Sequence, residues 1–249
     1  MKITIPPNID IIALQEMKKV RLMNRVDIKY YFHLKHLPQI LNQLKKDYYV
    51  LEIEKATILP YKTVYFDTID KQLYLQHHNN KLNRVKIRRR TYASTNTSFF
   101  EVKLKTNKGR TLKQRIAVQG SEPQLSAKEQ HFINANTAIT EPLTISLINK
   151  FKRVTFVSKN LNERCTIDFN INFENEEATS TLGNLIIVEI KVDGKKSNSK
   201  IATILKDKKI KPNSFSKYCI GMVKINKGLK YNRFKYQLKN INKINNHES

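Results

Sequence analysis

Apolar and polar side chains alternate through the middle of the chain. From Val85, the residues Lys86, Arg88, Arg90 and Tyr92 share one parity, while Val85, Ile87, Arg89 and Thr91 share the other. Farther on, Glu101, Lys103 and Lys105 oppose Phe100, Val102 and Leu104. A period of two sends successive side chains to opposite faces of a strand, so each run reads as a strand with a cationic face. The Lys-Gly pair in KTNKGRTL (105–112) predicts a turn into a third strand, Thr111 to Val118, with Lys113 and Arg115 opposite Leu112, Ile116 and Val118. The same division recurs on both sides. Arg25, Asp27 and Lys29 share a parity within a strand from Arg21 to Phe32, and Arg153 lies in a strand from Phe151 to Ser158. Arg164, Thr166, Asp168 and Asn170 oppose Cys165, Ile167, Phe169 and Ile171, and Glu189 and Lys191 alternate with Ile186, Val188, Ile190 and Val192. A strand pair near 49–58 and 61–67 completes the β content.

Helical spacing falls between these strands. Leu37, Ile40, Leu41 and Leu44 follow i, i+3, i+4, i+7, with Pro38 acceptable in a first turn, which predicts an amphipathic helix over 36–47. Mixed apolar spacing predicts a short helix over 9–20; IDKQLYLQHHNNKLNR (69–84) reads as a short helical connection or an irregular excursion, and 124–151 holds two helices, one around AKEQHFINA and one after Pro142. Ser197 or Ser199 caps a helix whose apolar face is Ile201, Ile204 and Leu205, and SFSKYCIGMVKI (214–225) is also helical. The tail after residue 225 has no period and reads as a frayed or docking extension. His77 and His78 are neighbours that do not face one another, and they read as surface residues.

Composition narrows the partners. Lys and Arg number 46 against 21 Asp and Glu, a net charge of +25, which favours polyanions: nucleic acid, anionic lipid, nucleotide or condensed phosphate. The aromatics are not interleaved with cations as a nucleic-acid stacking platform requires. Two cysteines make no disulfide framework, and the N-terminal stretch contains no apolar signal region, so a reducing, cytoplasmic setting is expected. The longest apolar run, Leu185 to Val188, is far shorter than the roughly 20 residues of a membrane helix. No P-loop, kinase signature or His/Cys metal cluster is present.

Alternation is symmetric, so periodicity leaves the charged faces either outside or inside. Outside, the apolar faces form the core; inside, helices cover an apolar outer wall around a wet basic cavity. Seven segments bear on that choice: RVDIKYYF (25–32), YFDT (65–68), KIRRRTY (86–92), FEVKLK (100–105), LKQR (112–115), VEIKVDG (188–194) and SFSKYCIG (214–221). In this order they resemble the VTC domain, the catalytic module of the vacuolar transporter chaperone polyphosphate polymerases, within the CYTH-like triphosphate tunnel metalloenzymes. The resemblance runs from about Arg21 to Ile225. It implies an α+β fold: a closed antiparallel barrel of about eight strands with helices outside, residues 1–225 forming the tunnel domain and 226–249 a basic tail.

The same resemblance implies the site. Lys29, Arg88, Arg90, Lys103 and Lys217 are the expected catalytic cations, and Lys113, Arg115, Arg153, Arg164 and Lys191 the expected phosphate contacts. Glu189 matches the metal-binding glutamate, for Mn²⁺ or Mg²⁺; its structural alternative is an ion pair with Lys191 or a lumen arginine. Where the tunnel hydrolases carry Glu-x-Glu-x-Lys, this chain has Arg25-Val-Asp27-Ile-Lys29, as VTC domains resemble, which favours a polymerase. The implied activity is transfer of the γ-phosphoryl group of ATP to polyphosphate, with tunnel-type triphosphatase or polyphosphatase action, or polyphosphate binding without turnover, as alternatives. The implied partners are ATP and inorganic polyphosphate, with a membrane protein receiving the polymer as a possible further one and no specific nucleic acid.

Overall fold

A computed structural model describes residues 3–20, 25–108, 110–119, 124–193 and 199–246. Its centre is a long antiparallel sheet. The strands along it are β2 (Arg25–His33), β11 (Leu185–Asp193), β9 (Glu163–Glu174), β8 (Thr144–Ser158), β4 (Leu59–Asp67), β5 (Arg84–Tyr92), β6 (Thr97–Lys105) and β7 (Thr111–Val118), in that spatial order. Off this path, β1 (Ile11–Ala13) runs parallel to β3 (Tyr48–Glu52), β3 pairs with the end of β8, and β10 (Thr179–Thr181) pairs with β9. Among the described residues β2 and β7 do not pair, so hydrogen bonds do not close the expected barrel. The sheet curls instead, because side chains of both end strands line one cavity.

The apolar parity faces outward and is covered. Helix α1 (Leu37–Leu44) and helix α4 (Lys200–Asp207) bury Leu37, Ile40, Leu44, Ile201 and Leu205 against Ile28, Ile167, Val188 and Ile190. Helix α3 (Ala127–Asn136) sets Ile133 on Val64, Ile87, Phe100 and Val102. The cap of α4 is Ser199, which accepts from the Ala202 N–H, while Ser197 lies outside the described residues. Helix α5 (Lys217–Ile225) packs on the concave side, where Gly221 lies so close to Leu147 and Phe173 that an added Cβ would sit 2.7 Å from each.

Several elements depart from the expected pattern. The segment over 9–20 is a strand and a 3-10 turn (Glu16–Lys19): the β-branched Ile11 and Ile12 pair with Val50 and Leu51, and the short polar run after them offers no apolar helix face. The two strands expected to pair, β3 and β4, instead lie side by side along β8, one at each end. The helix expected after Pro142 is the first half of β8. A bulge at Ser146 lets Ile145 and Ile148, three apart, reach the same outer layer, and this spacing imitates a helix. The tail forms helix α6 (Lys235–Asn246), docked through Phe234 and Ile241. Gly109, Gly194 and Arg21 to Asn24 lie outside the described residues.

Bulges also decide where the charge stops. In β9, Asn170 takes a left-handed φ of 49° at a register shift, so Asn170 leaves the concave face and becomes exposed, while Ile171 and Phe173 turn inward. Along β2 the inward series is Asp27, Lys29, Tyr31; along β11 it is Lys191, Glu189, Ile187, Leu185. The concave face is therefore charged toward one end and apolar toward the other, and α5 packs on the apolar part. Among the described residues, no helix is long and apolar enough to cross a membrane.

Candidate functional site

The curled sheet encloses a cavity of about 940 Å³. Thirteen lysine and arginine residues line it against two carboxylates, Asp27 and Glu189. All eleven residues expected at the site lie on this one lining: Lys29, Arg88, Arg90, Lys103, Lys113, Arg115, Arg153, Arg164, Glu189, Lys191 and Lys217. Lys86 belongs with them although only its parity marked it beforehand, and so do Arg84 and Lys105.

Strand register arranges these charges in rows. Lys86, Lys103 and Lys113 stand directly opposite one another on β5, β6 and β7, and the next row is Arg88, Glu101, Arg115. Glu101 is fully buried and fully engaged: Arg88 Nε donates to its Oε2 at 2.6 Å, and Lys113 Nζ pairs with its Oε1. Burial pushes the Glu101 carboxyl up, but Arg88 and Lys113 outweigh it and hold the group down to about 2. Glu101 thus neutralises the wall from behind rather than joining a metal site. Lys103 sits in the lysine row, and its charge is opposed first by Arg88, then by burial and Arg90, which bring its ammonium down to about 6.

A second clamp lies across the cavity. Arg153 donates from Nε and Nη2 to the two oxygens of buried Asp168 at 2.5 and 2.8 Å, and Lys217 Nζ pairs with Asp168 Oδ2. Lys217 points into the cavity because Ser216 caps α5, accepting from the Cys219 N–H. Under these cations lies an aromatic floor. Tyr61 stacks on Phe151 with centroids 5.2 Å apart; Arg153 lies 5.1 Å from Tyr61, Lys217 4.8 Å from Phe151, and Arg90 5.9 Å from both rings. Such contacts hold a guanidinium without neutralising it. Arg115 likewise lies 4.5 Å from the Phe99 centroid.

Glu189, expected as a metal ligand, lines the cavity and makes the ion pair that was its structural alternative. Lys191 Nζ bonds Glu189 Oε1 and reaches Asp27 Oδ2 at 3.0 Å. Burial raises the Glu189 carboxyl, but Lys191 and Lys29 outweigh it and hold it well below the usual range. Among the described residues, no group of three or more His, Cys, Asp or Glu is placed to hold a metal ion. Among the described residues there is no all-protein cage, and the donors fit a hard cation as carboxylate ligation beside oxygens from a bound phosphate.

His77 and His78, expected at the surface, are not exposed. His78 is buried with its ring edge toward Phe234. His77 lines the cavity, and its Nε2–H donates to Val85 O at 3.0 Å; burial and then Lys86 push this ring down to about 2, so it stays neutral. Asp67 of YFDT has a structural task. Its carboxylate accepts from the Leu73 and Tyr74 N–H groups at 2.8 and 3.0 Å and from the Tyr218 hydroxyl at 2.5 Å, tying α2 (Gln72–His78) to α5. Lys86 Nζ lies 5.7 Å from the Tyr218 ring and donates to Ser216 Oγ at 3.1 Å.

The family description "VTC domain" matches residues 24–226. No curated protein matches the chain. Solved structures resemble it at low identity. A candidate adenylate cyclase from Vibrio parahaemolyticus is 13% identical with a TM-score of 0.46, covering 77% of this chain and 94% of that one. A Hippeastrum protein described as a candidate adenylyl cyclase with a dominant triphosphatase activity is 14% identical with a TM-score of 0.46, over 78% of this chain and 94% of its own. A candidate adenylate cyclase from Bacillus halodurans is 13% identical with a TM-score of 0.42, over 86% of this chain and 100% of its own.

Proposed function

Because the chain belongs to the VTC domain family, matched over residues 24–226, we propose that its cavity binds the triphosphate of ATP beside inorganic polyphosphate and transfers the terminal phosphoryl group to the growing chain. The observation that carries this reading is the excess of cavity cations over carboxylates. Glu101 and Asp168 each answer two cations, yet Lys86 and Lys103 stand in a row with no carboxylate, and Arg90 and Arg115 lie against rings. A polyanion threaded along the cavity supplies the missing charge.

Phosphoryl transfer asks the protein for position and charge rather than covalent chemistry. Arg88, Arg90 and Arg153 offer planar forks for bidentate contact with phosphate oxygens, and Lys29, Lys103 and Lys113 offer point charges that tolerate a shifting register along a polymer. Asp168 and the Tyr61–Phe151 floor keep Arg153 and Lys217 oriented before substrate arrives. Glu189 is the residue for Mn²⁺ or Mg²⁺, its carboxylate joining phosphate oxygens and water. Such an ion, when bound, offsets charge on the transferred group. Lys191 must then move off Glu189 onto phosphate or Asp27, which lies within its reach.

The test is product analysis. Purified protein with γ-labelled ATP, Mn²⁺ or Mg²⁺ and a short polyphosphate primer is expected to lengthen the primer and release ADP. Orthophosphate as the only labelled product means a hydrolase, and saturable primer binding without turnover means a binding module.

A further inference from the structure

The two ends of the sheet differ in how they are finished. At β2, the Asn213 N–H donates to Lys29 O at 2.7 Å and Lys29 Nζ donates to Phe215 O at 3.0 Å, so the chain before α5 covers that edge. At β7, pairing with β6 runs from Thr111 to Val118, and among the described residues no strand lies on the other side. Lys128 Nζ reaches Ala117 O at 3.2 Å near one end. An open strand edge presents backbone N–H and C=O groups that an extended peptide can pair with.

The side chains of β7 state what such a peptide must carry. Lys113 and Arg115 line the cavity; Lys113 already pairs with Glu101, whereas Arg115 rests on Phe99 rather than on a carboxylate. On the outer face Leu112 is 55% exposed, at the lip of a groove of about 210 Å³ lined by Val102, Leu104 and Ala135 together with Gln114 and Asn136. Two β7 edges paired with each other would set Lys113 and Arg115 against their own kind, and like charges directly opposite are destabilising. A second copy of this chain is therefore the wrong occupant, and an acidic strand the complementary one.

We propose that the outer edge of β7 is a docking site for an extended segment of a partner protein, one that alternates carboxylates, facing Lys113 and Arg115, with apolar residues that enter the groove beside Leu112. This extends the sheet toward β2 and narrows the gap between its ends. It shares Lys113 and Arg115 with the proposed phosphate path but needs no turnover, because its contacts are backbone pairing, the groove and these two edge cations.

A fluorescein-labelled peptide of four Glu-Val repeats is the probe, read by anisotropy and by amide hydrogen exchange of the full chain. Saturable binding is expected, with slowed exchange in β7 and none in α6. A peptide of four Glu-Ser repeats should bind about tenfold or more weakly, because it has no apolar anchor to set in the groove. Leu112→Asp should weaken the Glu-Val peptide by a similar factor, and circular dichroism checks that this exposed substitution leaves the fold intact. Equal binding of both peptides, binding without β7 protection, or no binding overturns the proposal. Concentration-dependent dimerisation that protects β7 without peptide overturns it in favour of a second copy.

Discussion

Replacing Lys103 by methionine isolates the electrostatic cost of the empty cavity. Lys103 lies between Lys86 and Lys113 in register, with Arg88 and Arg90 nearby, and its ammonium drops from 10.5 to about 6. At about 1.4 kcal/mol per pH unit, this corresponds to repulsion and desolvation on the order of 6 kcal/mol, an upper limit that salt screening reduces. The sign follows from proton counting. Between pH 6 and 10.5 the unfolded chain holds a proton on Lys103 that the folded protein lacks, so this residue makes stability rise with pH by up to about 1.4 kcal/mol per unit. Below pH 6 both states are protonated and the full penalty is present. Urea denaturation at pH 6.5, 7.5 and 8.5 should find Lys103→Met more stable than wild type, most of all at the lowest pH. Tripolyphosphate should reverse the effect by recharging the amine. Calorimetry in buffers of different ionisation heat should then find that wild type takes up about one more proton than the variant on binding at pH 8. A stability difference that does not vary with pH, together with equal proton uptake, would refute the placement of Lys103 in a crowded cationic row.

Three further substitutions probe separate parts of the account. Glu189→Gln should abolish primer extension while leaving tripolyphosphate affinity equal or higher, since Lys191 keeps only one of its two carboxylate partners, Asp27; full turnover would remove Glu189 from the proposed metal site. Gly221→Ala should lower stability by about 1–3 kcal/mol in denaturant melts despite better helix propensity, because the new methyl meets Leu147 and Phe173. Arg89→Met should cost about 3–5 kcal/mol by leaving buried Glu129 unpaired. Burial raises the Glu129 carboxyl, but Arg89 and the Ser126 N–H hold it below its usual value, so the stability it contributes is lost as pH falls through that lowered value. In Arg89→Met the carboxyl loses the main partner that lowers it, so that acid-side loss should shrink or reverse, which denaturation below pH 6 would detect.

The division into a charged and an apolar face was legible because β-strand geometry repeats every two residues, and it held in β2, β5, β6, β7 and β11. Its direction was not. Alternation reads the same from either side, and only the covering of Ile28, Val64 and Val188 by α1, α3 and α4 turns Lys29, Arg88 and Glu189 inward. Bulges were the main source of error: at Ser146 a skipped residue imitated helical spacing, and at Asn170 it ended the charged face earlier than the parity implied. Arg89 hid on the apolar parity. Its partner Glu129 belongs to a capping box with Ser126, a pattern visible in the sequence although its reach to β5 was not. The buried clamps at Glu101 and Asp168 depend on which strands lie side by side, on a diagonal contact from Lys113 and on a helix, which no single strand records. The open edge at β7 likewise depends on which strands meet, a long-range matter that local pattern does not carry.

The claim at the centre is that the cavity, rather than the basic outer surface, binds the phosphate chain. A crystal structure with tripolyphosphate tests it most directly. Phosphate density between Arg88, Arg90 and Arg153, with Lys103 and Lys217 in contact, is the predicted result; density confined to the outer lysines of α6, with the cavity walls unchanged, would contradict it.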